Sequence, residues 1–187
     1  MQNKDALLYE RVRGKDKAAL EELYDRYESI LYSFLMKVTG DQEIAEEAMQ
    51  DVFIKLWQGK GIYDSTKGKF SSWLFTMARN RALDIIRKRT RTQSTPIEDV
   101  EPFLESTDST EGQTEWNEQR EEIRKAVSTL SDDQKKMVHY MYFKGYTQQK
   151  IAEKTGIPLG TVKGRLRLAL KKLKKTLISD GERRGSI

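Results

Sequence analysis

The stretch Thr147–Lys175, TQQKIAEKTGIPLGTVKGRLRLALKKLKK, allows few folds, because two short helical patterns meet in it at a sharp turn. The first, Thr147–Lys154, turns Ile151 and Ala152 inward and opens on Thr147, whose hydroxyl can accept from the free amides of a first turn. Gly156 can take the positive φ that ends a helix, and Pro158 stops that helix from continuing. The second pattern starts near Gly160 and Thr161, with Thr161 placed to cap it. Val162, Leu166, Ala169, Leu170 and Leu173 then recur at helical spacing. The other face carries Lys163, Arg165, Arg167, Lys171, Lys172, Lys174 and Lys175. A small inward residue, a glycine at the turn and a basic second helix make a helix-turn-helix, which would lay its second helix in a DNA major groove. The plainer reading is a helical hairpin with a solvated lysine face, since basic amphipathic helices are common.

A chain of 187 residues has room for one large or two small domains. Its formal charge of +5 favours a polyanionic partner. The absence of cysteine excludes disulfides, thiolate zinc sites and cysteine nucleophiles. The single histidine, His139, lies among Met137, Val138, Tyr140 and Met141 and reads as packed or half-exposed rather than catalytic. No run approaches a membrane span, and the start MQNKDALLYE does not read as a signal peptide. A cytoplasmic setting without direct membrane insertion is expected.

Charge is divided unevenly, and the division marks the domains. Residues 92–115 hold Glu98, Asp99, Glu101, Glu105, Asp108, Glu111 and Glu115 with no lysine or arginine, alongside Pro96, Pro102 and many serines and threonines. That composition predicts a flexible acidic linker. Few stretches alternate as strands do, so the expectation is an all-α chain of two small helical domains, 1–91 and 116–178, with a disordered tail over 179–187.

In the first domain, Asp5–Arg13 predicts a short helix ended by Gly14. Asp16 can cap the next, whose apolar stripe runs through Ala19, Leu20, Leu23, Tyr24, Tyr27, Ile30, Leu31, Phe34 and Leu35. Gly40 closes it and Asp41 caps a third helix, Asp41–Trp57. Here Ile44, Ala45, Ala48, Val52, Phe53, Leu56 and Trp57 form the buried stripe, and Glu43, Glu46, Glu47, Gln50 and Asp51 occupy the remaining surface. Those acids either face solvent or dock a basic partner. Carboxylate di-metal chemistry would need Glu-x-x-His pairs, and there are none.

The glycine-rich loop Gln58–Lys69 leads into the helix Phe70–Arg91. Trp73, Leu74, Met77, Leu83 and Ile86 are its expected core, with Phe70 and Phe75 either core or partly exposed. Its polar side includes Ser71, Ser72, Arg79, Asn80, Arg81, Arg87, Lys88, Arg89 and Arg91. Cations for phosphates, aromatic faces for unpaired bases and an amide for a base edge suit a single-stranded nucleic-acid surface. A buried aromatic helix with cations at its C-terminal end would look the same, since the helix dipole favours them there. Beyond the linker, Trp116–Ala126 starts a helix, Ser131 and Asp132 cap another, and Gly145 leads into the helix-turn-helix.

Taken together, these motifs resemble bacterial RNA polymerase sigma factors of the small, two-domain extracytoplasmic-function branch. The resemblance spans roughly 6–91 and 116–175. It rests on Ala45, Glu46, Glu47, Ala48, Gln50, Asp51 and Phe53 in the acidic helix, and on Phe70, Trp73, Leu74, Met77, Ala78, Asn80 and Asp84 in the basic one. In the helix-turn-helix it rests on Ile151, Ala152, Gly156, Pro158, Gly160, Thr161 and Val162. It implies that Glu43, Glu46, Glu47, Gln50 and Asp51 dock core RNA polymerase, whose clamp and flap regions are the partner surfaces. Glu47 and Asp51 each differ by one methylene from the family's usual Asp and Glu. It also implies that Lys69, Phe70, Trp73, Arg79, Asn80, Arg81, Arg87 and Lys88 open and read the minus-ten element. A flipped base would be held near Asn80, at a cost that stacking and hydrogen bonds must offset. Thr147, Thr161, Lys163, Gly164, Arg165, Arg167 and Lys171 would read the minus-thirty-five element as duplex. The acidic linker would run through the polymerase's basic channel, and an anti-sigma partner, membrane-anchored in many members, is implied.

On this reading the protein is expected to be no enzyme, to need no cofactor or metal, and to serve transcription initiation in response to stress. Two other classes compete. A helix-turn-helix regulator of the response-regulator output type would carry a receiver domain with parallel strands, and 1–91 has no such runs. A helical adaptor would leave the basic second helix of the motif unexplained.

Overall fold

The structure, a computed structural model, describes residues 4–93 and 114–184. The chain divides into two compact units, Met1–Phe103 and Leu104–Ile187, each built from four helices among the described residues. Most of the acidic linker, and the last three residues of the expected tail, lie outside the described residues.

In the first unit, α1 spans Lys4–Arg13, α2 Lys17–Thr39, α3 Gln42–Gln58 and α4 Phe70–Gln93. Local chemistry sets most of the ends. Asp16 accepts from the Ala19 amide and Asp41 from the Ile44 amide, while Gly40 and Gly59 close α2 and α3 in the left-handed region. On α2 the fully buried side chains Ala19, Leu23, Tyr27, Leu31 and Leu35 recur every fourth residue, one ridge facing the other helices. Phe70, Leu74, Ala78 and Ala82 do the same on α4. α3 packs on both α2 and α4 and buries Ala45 and Ala48 completely, and small side chains at a helix contact permit a short distance between axes.

Several expected core positions are only partly buried, Trp57, Trp73 and Met77 among them. Tyr24 is exposed at its rim and leans on Phe53, with ring centroids 4.9 Å apart, because the ridge of every fourth residue passes beside it. On α4 the deeply buried residue near the C-terminal end is Ile85, and Ile86 is half-buried.

In the second unit, α5 spans Thr114–Ser128, α6 Asp132–Tyr142, α7 Gln148–Thr155 and α8 Leu159–Arg184. α8 packs against the other three. Met137, Ile151, Val162 and Leu166 make the centre, with Tyr140, Tyr146, Ala152 and Ile157 packed around it. Ser131 and Gln134 form a reciprocal capping box at the start of α6, and Thr147 caps α7 through the Lys150 amide.

Three expectations need correcting here. Thr161 does not cap α8. The helix already includes Leu159, and the Pro158 carbonyl accepts from the amides of Thr161 and Val162, so Thr161 sits inside the first turn. Leu170 is half-exposed rather than core, because only one flank of α8 is covered along that part of its length. Finally, α8 runs on to Arg184, past the point where a disordered tail was expected. A helix can carry Gly181 at a cost of about 1 kcal/mol.

His139 is buried on α6, stacked on Phe143 at 5.5 Å, and its Nε2 has no hydrogen-bond partner among the described residues. Burial disfavours its cation and Lys144 adds to the effect, so its pKa lies below the ordinary 6.5. The unfolded chain therefore takes up a proton at higher pH than the folded one. Stability is full above 6.5 and is lost as pH falls through the folded value. Calorimetric melts at about pH 7.5 and about pH 5.5 are expected to show this loss, with a smaller difference in His139→Phe, which keeps the packing and removes the titration. An unchanged difference in the variant would exclude His139 as the cause.

Candidate functional site

Three surfaces carry the candidate residues. The first is the opening of α8. Gly160, Lys163, Gly164, Arg167 and Lys171 follow the i, i+3, i+4, i+7, i+11 spacing of a helix face and are all exposed, so they share one face. A Cβ added at Gly160 or Gly164 would meet nothing within 4 Å. Internal packing therefore does not require these glycines; they leave the helix surface low between the cations, where another backbone can approach. Thr161 is also exposed on this first turn, whereas Thr147 spends its hydroxyl on the α7 cap.

Two other cations of α8 point elsewhere. Arg165 is turned to Asp133 at the start of α6, 3.0 Å away. Lys172 donates to the Thr129 carbonyl at 3.4 Å and to Gln134 Oε1 at 3.5 Å, tying α8 to the turn between α5 and α6.

The second surface is α4 with the loop before it. Asn80, Asp84, Arg87, Lys88 and Arg91 form an exposed stripe. Within it Arg79 donates to the Asn80 Oδ1 at 3.1 Å, and Arg87 pairs with Asp84 at 3.2 Å. Asn80 is thus exposed with its side-chain oxygen held by Arg79. At the N-terminal end of α4, Phe70 is fully buried, with ring centroids 5.6 Å from Tyr9, 5.4 Å from Tyr63 and 5.5 Å from Trp73. Phe70 cannot stack on a base in this arrangement; it supports the surface from beneath. Trp73 is half-buried beside it, and Lys69 is exposed just before the helix.

The loop itself is ordered by contacts that a reading for helical period does not reveal. The Tyr9 hydroxyl donates to the Gly61 carbonyl and the Tyr63 hydroxyl to the Gly68 carbonyl at 2.8 Å. Gly61 has φ 131°, and a Cβ there would lie 3.2 Å from the Trp73 ring, so the position requires glycine. Asp64 accepts from the Thr66 hydroxyl and amide, and these bonds hold its carboxyl below the usual range. That Asp-x-Thr spacing was a visible turn signal. The Tyr9 contact joins residues far apart in the chain and was not visible.

The third surface is the acidic side of α3, which the structure splits in two. Glu46 and Gln50 lie on an exposed stripe, where Glu46 accepts from Gln42 at 2.9 Å. Glu47 and Asp51 turn instead toward α4. Arg81 Nε donates to Asp51, and Arg81 Nη2 lies 3.6 Å from Glu47. Arg89 lies 3.3 Å from both Glu43 and Glu47. The five polar residues expected to form one docking face thus divide, and Arg81, expected on nucleic acid, is occupied by two carboxylates.

Comparison with known proteins agrees with both units. Residues 23–92 match the family described as Sigma-70 region 2, and residues 120–173 match Sigma-70, region 4. The ECF RNA polymerase sigma factor RpoE of Cereibacter sphaeroides is 32% identical over 164 residues, covering 86% of this chain and 87% of that protein. The ECF RNA polymerase sigma factor SigK of Mycobacterium tuberculosis is 30% identical over 177 residues, with 92% of each chain covered. Among solved structures, Rhodobacter sphaeroides SigE in complex with the anti-sigma ChrR is similar at 30% identity and a TM-score of 0.47, covering 94% of this chain and 98% of that one.

Proposed function

Since the chain belongs to the extracytoplasmic-function sigma factors and serves transcription initiation, we propose how its own residues divide that work. The exposed face Lys163, Gly164, Arg167 and Lys171 of α8 enters the major groove of the minus-thirty-five element. Lysines and arginines spaced along one face meet phosphates and base edges, and the two open glycines let the helix sit deep. The exposed stripe of α4, with Asn80, Arg87 and Lys88, faces the minus-ten element once its strands part. Glu46 and Gln50 on α3, exposed and outside the ion pairs to α4, are the residues offered to core polymerase. The protein acts in the cytoplasm by binding alone, with no catalytic step of its own. Family membership extends the reading to an anti-sigma partner and to induction by stress.

The observation that carries this reading is the single exposed face shared by Lys163, Gly164, Arg167 and Lys171 on a helix whose other side is core. Arg167→Ala in the polymerase complex is expected to cost about 1–3 kcal/mol at a matched promoter and less on unrelated DNA. Arg165→Ala, which loses the contact to Asp133, is expected to weaken both DNAs by similar amounts. Equal losses on both DNAs for Arg167→Ala would reduce its role to a phosphate contact. Full promoter binding without polymerase, and no complex with polymerase, would favour the plain regulator reading instead.

A further inference from the structure

The two arginines that α4 turns away from its exposed stripe form a pattern with the acids of α3. Arg81 and Arg89 are eight residues apart on α4, with buried Ile85 midway between them, so this edge of the helix packs inward. Glu43, Glu47 and Asp51 have the same spacing on α3. The two rows run antiparallel and interlock. Asp51 holds Arg81, Glu47 is shared by both arginines, and Glu43 meets Arg89. The side chains of Arg81 and Asp51 are about a third exposed, at 29% and 31%, so this end of the row is partly withdrawn from water. An isolated surface ion pair contributes little, but a row with a shared carboxylate and planar guanidinium forks restricts geometry as well as adding attraction.

We propose that Arg81 and Arg89 are positioning residues. They brace the promoter-facing helix α4 against α3, and they do not contact DNA. Their partners Glu47 and Asp51 anchor that brace, which leaves Glu46 and Gln50 as the polymerase-facing groups of α3. The proposal rests on the reading above of α4 as the promoter-facing helix.

Two measurements test it. The first uses the free full-length protein and does not involve DNA. Arg81→Gln and Asp51→Asn are each expected to lower the melting temperature by roughly 2–6 °C, and the double variant by little more than either alone. Additive shifts would overturn the brace.

The second uses the polymerase complex on promoter DNA, at saturating polymerase and well below the melting temperature, where a merely structural loss would not register. Arg81→Gln is expected to slow open-complex formation several-fold while leaving the dependence of DNA affinity on salt unchanged. Lys88→Gln is expected to reduce that slope by about one. Arg81→Lys keeps the charge but cannot reach two carboxylates, so it is expected to be as slow as Arg81→Gln. Rescue by lysine, or a reduced salt slope in Arg81→Gln, would make Arg81 a phosphate contact and overturn the proposal. If Lys88→Gln and Arg87→Gln both leave the slope unchanged, the promoter-facing reading of α4 fails, and the melting cycle alone then decides the brace.

Discussion

The Glu46→Lys/Gln50→Lys protein is expected to lose core polymerase affinity by about 100-fold or more and to keep its melting temperature. Two lysines on the exposed stripe of α3 would face a basic partner, and like charges brought together at an interface cost several kcal/mol. The fold should not feel the change, because neither residue is buried and Glu46 accepts from Gln42 on its own helix. Sizing-column co-elution with bacterial core RNA polymerase, followed by titration, measures the loss directly.

The comparison that gives this experiment its meaning is Glu47→Lys/Asp51→Lys. That pair would set lysines against Arg81 and Arg89, so it removes every contact of the ion row except Glu43–Arg89 and repels α4. It is expected to lower the melting temperature as well as binding, which makes a binding loss there ambiguous. Normal co-elution of the Glu46/Gln50 variant, with wild-type protein forming the complex, would place docking elsewhere on the chain.

Phe70→Ala is expected to destabilise the first unit by about 3–5 kcal/mol, the usual cost of deleting a large buried aromatic ring. Phe70 is 0% exposed, and Tyr9, Tyr27, Tyr63 and Trp73 all have rings within 6 Å of its centroid. Removing it undermines α4 at its first residue and frees the ring of Tyr63, whose hydroxyl holds the loop at Gly68. Phe70→Leu refills much of the space and is expected to cost less. Urea unfolding of both variants tests the ranking. A small stability change in Phe70→Ala with a large loss of promoter opening would put the ring on DNA after all, contrary to its buried position.

Much of the architecture was legible because it depends on residues close together in the chain. Asp16, Asp41, Ser131 and Thr147 cap helices through amides three residues on, and Gly40 and Gly156 end helices by adopting positive φ. Such contacts follow from local geometry, so residue type and spacing suffice. The same logic misplaced the start of α8. A threonine before an apolar periodic run suits a cap, but the Pro158 carbonyl already begins the helix and leaves Thr161 inside the first turn. Leu170 was misjudged for a different reason. Leucines continue at helical spacing along α8 beyond the part of its surface that other helices cover, and periodicity does not record where coverage stops.

By itself, then, the amino-acid sequence determined the helices, most of their caps, the helix-turn-helix and the sign of charge on each helix, since all of these depend on neighbours within a few positions. Tertiary structure alone decided how those charges are used. A spacing of four places Glu43, Glu47 and Asp51 in a row, but the rotation of α3 about its axis is set by Ala45, Ala48 and Val52 packing into the core. The same holds for Arg81 and Arg89 around Ile85 on α4. Buried apolar contacts between residues distant in the chain thus chose which acids meet arginine and which do not. In the second unit the same kind of packing turned Arg165 to Asp133 and left Lys163 and Arg167 facing out.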